Sequence, residues 1–229
     1  MRIIEKLQMD CDGITRHGPV NMVFLGDSVT HGNFEDGVFD YDAVYHARLA
    51  RMLHRDYPMM PVNMINAGIG GITAKGSLAR LDRDVLSHHP DLTVVCFGLN
   101  DINETLEEYT GALSTIFQTL RGAEIPTIFL TPNMLNTYVD EADTLPALMD
   151  YARFTCQCQT SGKMDAYMNA ARACAAAHDV PVCDCYAKWQ QMAANGVDTT
   201  RLLVNRLNHP TREMHQLFAD ELYRMIREM

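Results

Sequence analysis

A three-layer α/β/α sandwich with about five parallel strands is the fold the sequence predicts. Three observations predict it. Short apolar, β-rich runs alternate with helical patterns from end to end, turn residues fall just past the runs, and 47% of the 229 residues are hydrophobic. Strands separated by helices imply right-handed crossovers and a parallel sheet covered on both faces. A chain of this length and apolar content can fill one sizeable core, so residues 1–229 are expected to form a single domain.

Residues 1–19 read as an N-terminal extension. Met22 to Leu25, four apolar residues in a row, form the first buried strand. A helix follows over Asp42 to Tyr57, with Val44, Ala47, Leu49, Ala50 and Leu53 at helical spacing, and Pro58 and Pro61 end it. Val62 to Asn66 is a short second strand. Gly68, Gly70 and Gly71 lead into a helix near Thr73 to Leu86. Leu92 to Phe97 is the third strand, and it runs into Gly98-Leu99-Asn100-Asp101 and a helix from Glu104 to Arg121. Pro126 to Leu130 is the fourth strand. Residues 131–162 are irregular and too long for an ordinary connection, so they are expected to be an insertion near the strand ends. Lys163 to His178 is an alanine-rich helix, and Val180 to Cys183 a short fifth strand. Thr211 to Glu228 closes the chain as a helix with a stripe of Met214, Leu217, Phe218, Leu222 and Ile226. Together these elements make a flavodoxin-like arrangement.

Composition excludes several classes of partner. The net charge of −10 argues against nucleic acid, whose binders concentrate Lys and Arg. No run of about 18 apolar residues exists to span a membrane. Met1 to Gln8 lacks the apolar stretch of a signal peptide, so a cytoplasmic location is expected; oligomeric state is not legible. Seven cysteines (Cys11, Cys96, Cys156, Cys158, Cys174, Cys183 and Cys185) are an odd number without export features, which favours reduced thiols. The two Cys-x-Cys pairs are spaced more tightly than structural zinc ligands, and on a strand Cys183 and Cys185 would share a face as small hydrophobes. Gly68-Ile69-Gly70-Gly71 begins like a dinucleotide fingerprint, but Thr73 stands at the third glycine and no acidic residue follows on a second strand. No metal and no other cofactor is expected.

The residues just past the strand ends carry the chemistry. Ser28 follows the first strand through Gly26, which permits a sharp turn. Gly68 and Gly71 follow the second, Asn100 follows the third, and His209-Pro210 precedes the last helix. In a parallel sheet these ends share one edge, where open α/β sheets place their ligands. Acyl transfer needs such a set: a hydroxyl nucleophile, an imidazole base and donors for a developing oxyanion. The Gly-x-Ser-x-Gly elbow is absent, since Thr30 replaces its second glycine. Asp27 and Asp101 read as turn and helix-cap residues that fix the loops. His31, His46, His54 and His178 read as surface or helix-face residues, and His88-His89 as a solvated loop.

In Gly26-Asp27-Ser28, Asn66 to Thr73, Gly98-Leu99-Asn100-Asp101 and His209-Pro210, the chain resembles the SGNH (GDSL-type) hydrolases, serine esterases and acylhydrolases, from about residue 20 to the last helix. The resemblance implies that Ser28 is the nucleophile and His209 the general base. It makes the N–H groups of Ser28 and Gly71, with the Asn100 carboxamide, the oxyanion hole. The expected substrate is a small ester, foremost an acetylated carbohydrate, cleaved through an acyl-enzyme. A lysophospholipase or thioesterase is the alternative enzyme, and would need a larger apolar groove. Met134, Leu135, Tyr138, Leu145, Tyr151 and Phe154 would either wall such a pocket or bury against the sheet. A carbohydrate-binding protein whose chemistry has lapsed is the alternative of another class. One departure matters: the family commonly has an aspartate three residues before the histidine, and here that residue is Arg206. A main-chain carbonyl, Asn205 or Asn208 is then left to accept the His209 Nδ1–H, with Asp198 a remoter option.

Overall fold

The computed structural model describes residues 1–229. Five strands form one sheet: β1 (Val20–Gly26), β2 (Val62–Gly68), β3 (Leu92–Cys96), β4 (Thr127–Leu130) and β5 (Val182–Cys183). Their order is β2-β1-β3-β4-β5 and every pairing is parallel. This is the flavodoxin-like order, with its reversal at β1 and β3, where a crevice opens beyond the carboxyl ends. The register sets Gly26 level with Gly68 on one side and Cys96 on the other. Residues that leave β1, β2 and β3 therefore start from one line.

The helices, in chain order, are α1 (Ile3–Leu7), α2 (Cys11–His17), α3 (Ser28–His31), α4 (Tyr45–Asp56), α5 (Ala74–Ser77), α6 (Leu81–Asp84), α7 (Leu106–Gly122), α8 (Met149–Thr160), α9 (Lys163–Ala177), α10 (Cys185–Ala194) and α11 (Met214–Glu228). Alternate strand residues point to opposite faces. Val23, Leu25, Val95 and Phe129 join one buried cluster with Ile116 and Phe117 of α7, Met168 of α9 and Trp189 of α10. Met22, Phe24, Val94 and Ile128 join the other, with Leu49 of α4 and Phe218 of α11. Both faces are covered, which is why the inner strands β3 and β4, and β1 from Met22 on, are buried without alternation. No helix is long and apolar enough to cross a membrane.

The structure corrects three expected elements. Residues 73–86 do not form one helix but break into α5, α6 and intervening 3₁₀ turns. There the first turn is capped from its own Thr73 side chain, and Asp101 takes the Ala74 N–H, so the segment follows the neighbouring loop. Residues 131–162 are not irregular throughout, since α8 occupies their second half. The unforeseen α10 starts at Cys185, where the Asp184 carboxylate accepts the Ala187 N–H. Residues 1–19 are more than an appendage: Ile3 and Leu7 are buried in the second cluster.

Candidate active site

β1 ends at Gly26, and Asp27 caps the short helix α3 by accepting the Val29 N–H at 3.0 Å. Ser28 is therefore the first residue of a helix, where the N–H has no intrahelical acceptor. Gly68 lets α3 lie directly on the end of β2: a Cβ there would stand 2.3 Å from the His31 N. Beyond β2, Gly71 adopts φ +76, open to glycine at little cost, and its N–H has no partner within the protein. Asn100 follows β3. Its Nδ2 donates to the Ile72 carbonyl at 3.1 Å, which ties the carboxamide to the glycine loop and leaves its second N–H unused.

His209 lies 181 positions after Ser28 in the chain. Leu203 and Pro210 form an antiparallel bridge, and the Val204 N–H donates to the His209 carbonyl at 2.8 Å, so residues 202–211 make a tight hairpin. Asn205 closes its tip: its Oδ1 accepts the N–H groups of Leu207, Asn208 and His209 at 3.0–3.1 Å. The buried Asn133 donates to the Asn208 carbonyl at 2.8 Å, and the Asn136 N–H donates to the Leu207 carbonyl at 2.9 Å. The segment after β4 thus holds the histidine loop. Sequence reasoning missed Asn133 and Asn136, because nothing in a loop marks which asparagines will be buried.

The loop delivers His209 Nε2 to 2.8 Å from Ser28 Oγ. On the ring's other side, Nδ1 lies 2.9 Å from the Phe34 carbonyl oxygen. A carbonyl only accepts, so Nδ1 carries the proton and Nε2 is the acceptor facing the serine hydroxyl. The missing aspartate is replaced by a main-chain carbonyl. Of the alternatives the sequence left open it is the carbonyl that orients the ring, while Asn205 and Asn208 support the loop: the Asn205 oxygen is spent on three backbone donors, His209 among them, and its Nδ2 holds the Asn208 Oδ1 at 3.0 Å. Asp198 is engaged elsewhere, capping residues 199–202 and accepting the Tyr138 hydroxyl. Arg206 faces away: it has φ +59, donates to the Leu203 carbonyl at 2.8 Å and pairs with Asp140 and Asp143.

Burial lowers the pKa of His209, opposed by the Phe34 carbonyl and the charge of Asp36. The imidazole is therefore neutral at neutral pH and able to accept a proton. Burial raises both neighbouring carboxyls: Asp27 to about 7, and Asp101 to about 7 with help from the charge of Asp27. Each spends one oxygen on a loop N–H, Asp27 on Val29 and Asp101 on Ala74, and each leaves the other oxygen buried without a partner. Two histidines read from the sequence as surface or helix-face residues also brace the site. His46 Nε2 donates to the Thr30 carbonyl of α3 at 3.1 Å, and His31 Nδ1 accepts the Gly70 N–H at 3.3 Å.

Ser28, Gly70, Gly71, Asn100 and His209 line one cleft of about 200 Å³, closed at its sides by Asn33, Asp36, Leu148 and Tyr151. Of the side chains expected to wall a pocket, Tyr151 does so and stacks on Phe154 at 5.9 Å. Met134 and Leu135 go to the core, while Tyr138 and Leu145 are exposed. Cys183 and Cys185 are buried on the same side of the sheet, among apolar neighbours. No three His, Cys, Asp or Glu side chains gather as a metal-binding group.

A parallel α/β sheet with a serine, a histidine and unpaired N–H donors at its carboxyl edge has the layout of a serine hydrolase. Residues 24–217 match the GDSL-like lipase/acylhydrolase family, and the chain belongs to that family. Among its relatives is the acetylxylan esterase of Geobacillus stearothermophilus, 27% identical over 146 residues. That match takes in 56% of this chain and 66% of the relative, just under two thirds of its length. The structure of Axe2, an acetylxylan esterase from the same organism, aligns with a TM-score of 0.68 at 22% identity, over 90% of this chain and 94% of that one. LAE5, an α/β hydrolase from the metagenome of Lake Arreo, Spain, aligns at 0.69 and 22%, with the same coverage. A two-domain esterase, CEX, active on acetylated mannans, aligns at 0.68 and 18%, over 92% of this chain and 50% of that one. At such identities the alignments speak to the fold.

Proposed function

We propose that this protein is a serine esterase that removes a short acyl group, acetyl foremost, from a carbohydrate or other small ester. The observation that carries the reading is the 2.8 Å contact between His209 Nε2 and Ser28 Oγ inside the cleft that Gly71 and Asn100 share. In this reading Ser28 Oγ attacks the ester carbonyl as His209 Nε2 takes its proton. The Phe34 carbonyl keeps the opposite proton on Nδ1 throughout. The tetrahedral oxyanion forms against the N–H groups of Ser28 and Gly71 and the free N–H of Asn100. His209 then protonates the leaving alcohol, and a water, activated by the same imidazole, hydrolyses the acyl-enzyme.

The cleft supports a small acyl group. About 200 Å³ lies below the usual range of roughly 300–1,000 Å³ for ligand pockets. The polar walls, Asn33, Asp36 and Asn208, suit a hydroxylated leaving group. The acetylxylan esterase relative supports the same substrate class. The test is a series of p-nitrophenyl esters from acetate to decanoate, with acetate release from acetylated xylo-oligosaccharides measured alongside. We expect kcat/KM for the acetate to exceed that for the decanoate by about tenfold or more, since each unaccommodated methylene forfeits its burial. A preference for the decanoate would move the assignment to a long-chain acylhydrolase. No turnover, with no phosphonate adduct on Ser28, would leave a binding protein.

A further inference from the structure

Arg212 stands three residues after His209, and no sequence motif marks it. Its Nε donates to Asp40 at 2.9 Å, and its two terminal nitrogens donate to the two Glu35 oxygens at 2.8 and 3.1 Å. The same guanidinium lies over the Phe34 ring, 4.5 Å from its centroid, while His215 of α11 packs on that ring at 4.7 Å. Phe34, Glu35 and Asp40 all belong to one loop, residues 32–40. It is closed by the Phe34 N–H to the Val38 carbonyl and the Asp40 N–H to the Gly32 carbonyl, both at 2.9 Å. Residues 36–39 at its tip are exposed, whereas Phe34 is fully buried. The loop is therefore fixed at its base, where Arg212 grips it.

We infer that Arg212 is a positioning residue that makes up for the missing aspartate. By clamping residues 32–40 it holds the Phe34 carbonyl against His209 Nδ1–H, and so keeps Nε2 turned to Ser28. A carboxylate attracts an imidazole N–H by its charge. A loop carbonyl carries no net charge, so its orienting power depends on being held still. A planar guanidinium can bond two carboxylates and cover an aromatic ring at once, which a lysine cannot. The three contacts fix a backbone segment rather than one side chain. Arg212 touches neither the serine nor the cleft, so it acts through the loop it clamps, whose contact with the His209 ring is the Phe34 carbonyl. The inference rests on the serine–histidine reading of the site.

The experiment compares the wild type with Arg212→Ala, Arg212→Lys and the double variant Glu35→Gln/Asp40→Asn, which cuts the clamp from its other end. Two readouts are taken on each folded protein: the His209 tautomer by ¹⁵N NMR of the imidazole, and kcat and KM on p-nitrophenyl acetate. We expect the Nδ1–H tautomer to dominate in the wild type and an Nε2–H population to appear in Arg212→Ala. Its kcat should fall about 10–100-fold with KM within about twofold, because the carbonyl is loosened rather than removed. Arg212→Lys should fall in between, and the double variant should reproduce Arg212→Ala. An unchanged tautomer and kcat in a folded Arg212→Ala, with only thermal stability reduced, would overturn the inference. If Arg212→Ala does not fold, the double variant carries the same decision. If the wild type hydrolyses no ester, the proposed function fails, and the tautomer readout still decides the role of Arg212.

Discussion

Ser28 sits on the first turn of a four-residue helix, and its hydroxyl meets only His209. Ser28→Ala should therefore fold normally, with an unchanged melting temperature, and lose on the order of 10³–10⁶ in kcat. An active Ser28→Ala protein would remove the nucleophile from the reading. Asn100 contributes to the cleft one N–H that the protein does not use, so Asn100→Ala should lose about 10²–10³ in kcat with little change in KM. A KM effect alone would make it a ground-state contact. Because burial holds His209 below its ordinary pKa of 6.5, the rising limb of a kcat/KM–pH profile should lie below that value. A limb above it would mean that the imidazole is paired with a carboxylate. The buried carboxyls Asp27 and Asp101 bind protons more tightly folded than unfolded, with pKa values near 7 against an ordinary 3.8. Their stabilisation is complete below about pH 4 and is lost as the pH rises through about 7. Asp27→Asn keeps the oxygen that accepts the Val29 N–H and cannot ionise. The wild type should thus lose about 2–4 kcal/mol relative to this variant between pH 4 and pH 8, as read from urea unfolding. A difference that does not change with pH would show that the carboxyl is solvated.

The element that aims the serine is α3, and it is seated by contact with β2 rather than by its own four residues. Its backbone at His31 and Thr30 fills the space where a Gly68 side chain would be, at 2.3 and 2.6 Å from a Cβ. Gly68→Ala should push α3 off the sheet, at a cost of about 1–3 kcal/mol, and displace Ser28 from His209. Thermal unfolding and turnover measured together test this: stability and kcat should fall in parallel, and full activity in a folded variant would mean that the helix tolerates the shift. The hairpin at residues 202–211 is the other aiming element. Its tip is closed from within by Asn205 and held from the segment after β4 by Asn133, on the Asn208 carbonyl. Replacing Arg206 by Asp, the residue the family commonly has there, should not improve the site. Nδ1 already bonds to Phe34, and the position faces Asp140 and Asp143.

Across the whole molecule, the sheet brings together residues more than 180 positions apart in sequence, and the N-terminal residues help to cover it. Ile3 and Leu7 are buried against the face that carries α4 and α11. Lys6 pairs with Asp91 at 2.7 Å, and Asp91 also accepts the N–H of Asn21, the second residue of β1. Leu7→Ala should then cost about 2–4 kcal/mol, as core truncations do, while kcat stays near the wild-type value, since the cleft lies at the opposite end of β1. A loss below about 0.5 kcal/mol in chemical denaturation would show that residues 1–19 are only an attachment.

The sequence alone determined the sheet, the parallel connection of its strands and the positions of Ser28, Gly71, Asn100 and His209. Apolar runs, helical periodicity and turn residues are local, and a parallel sheet has only one edge at which the chain leaves its strands. Only the tertiary structure decided what orients His209. The partner is the backbone carbonyl of Phe34, 175 positions away, and every residue has a carbonyl, so no side chain in the sequence could mark it. Arg212, Asn133 and the burial of Asp27 and Asp101, whose capping roles were legible, escaped for a related reason. Their roles come from burial and from the neighbours that folding brings, and a polar residue in a loop looks the same in a sequence whether water or protein surrounds it.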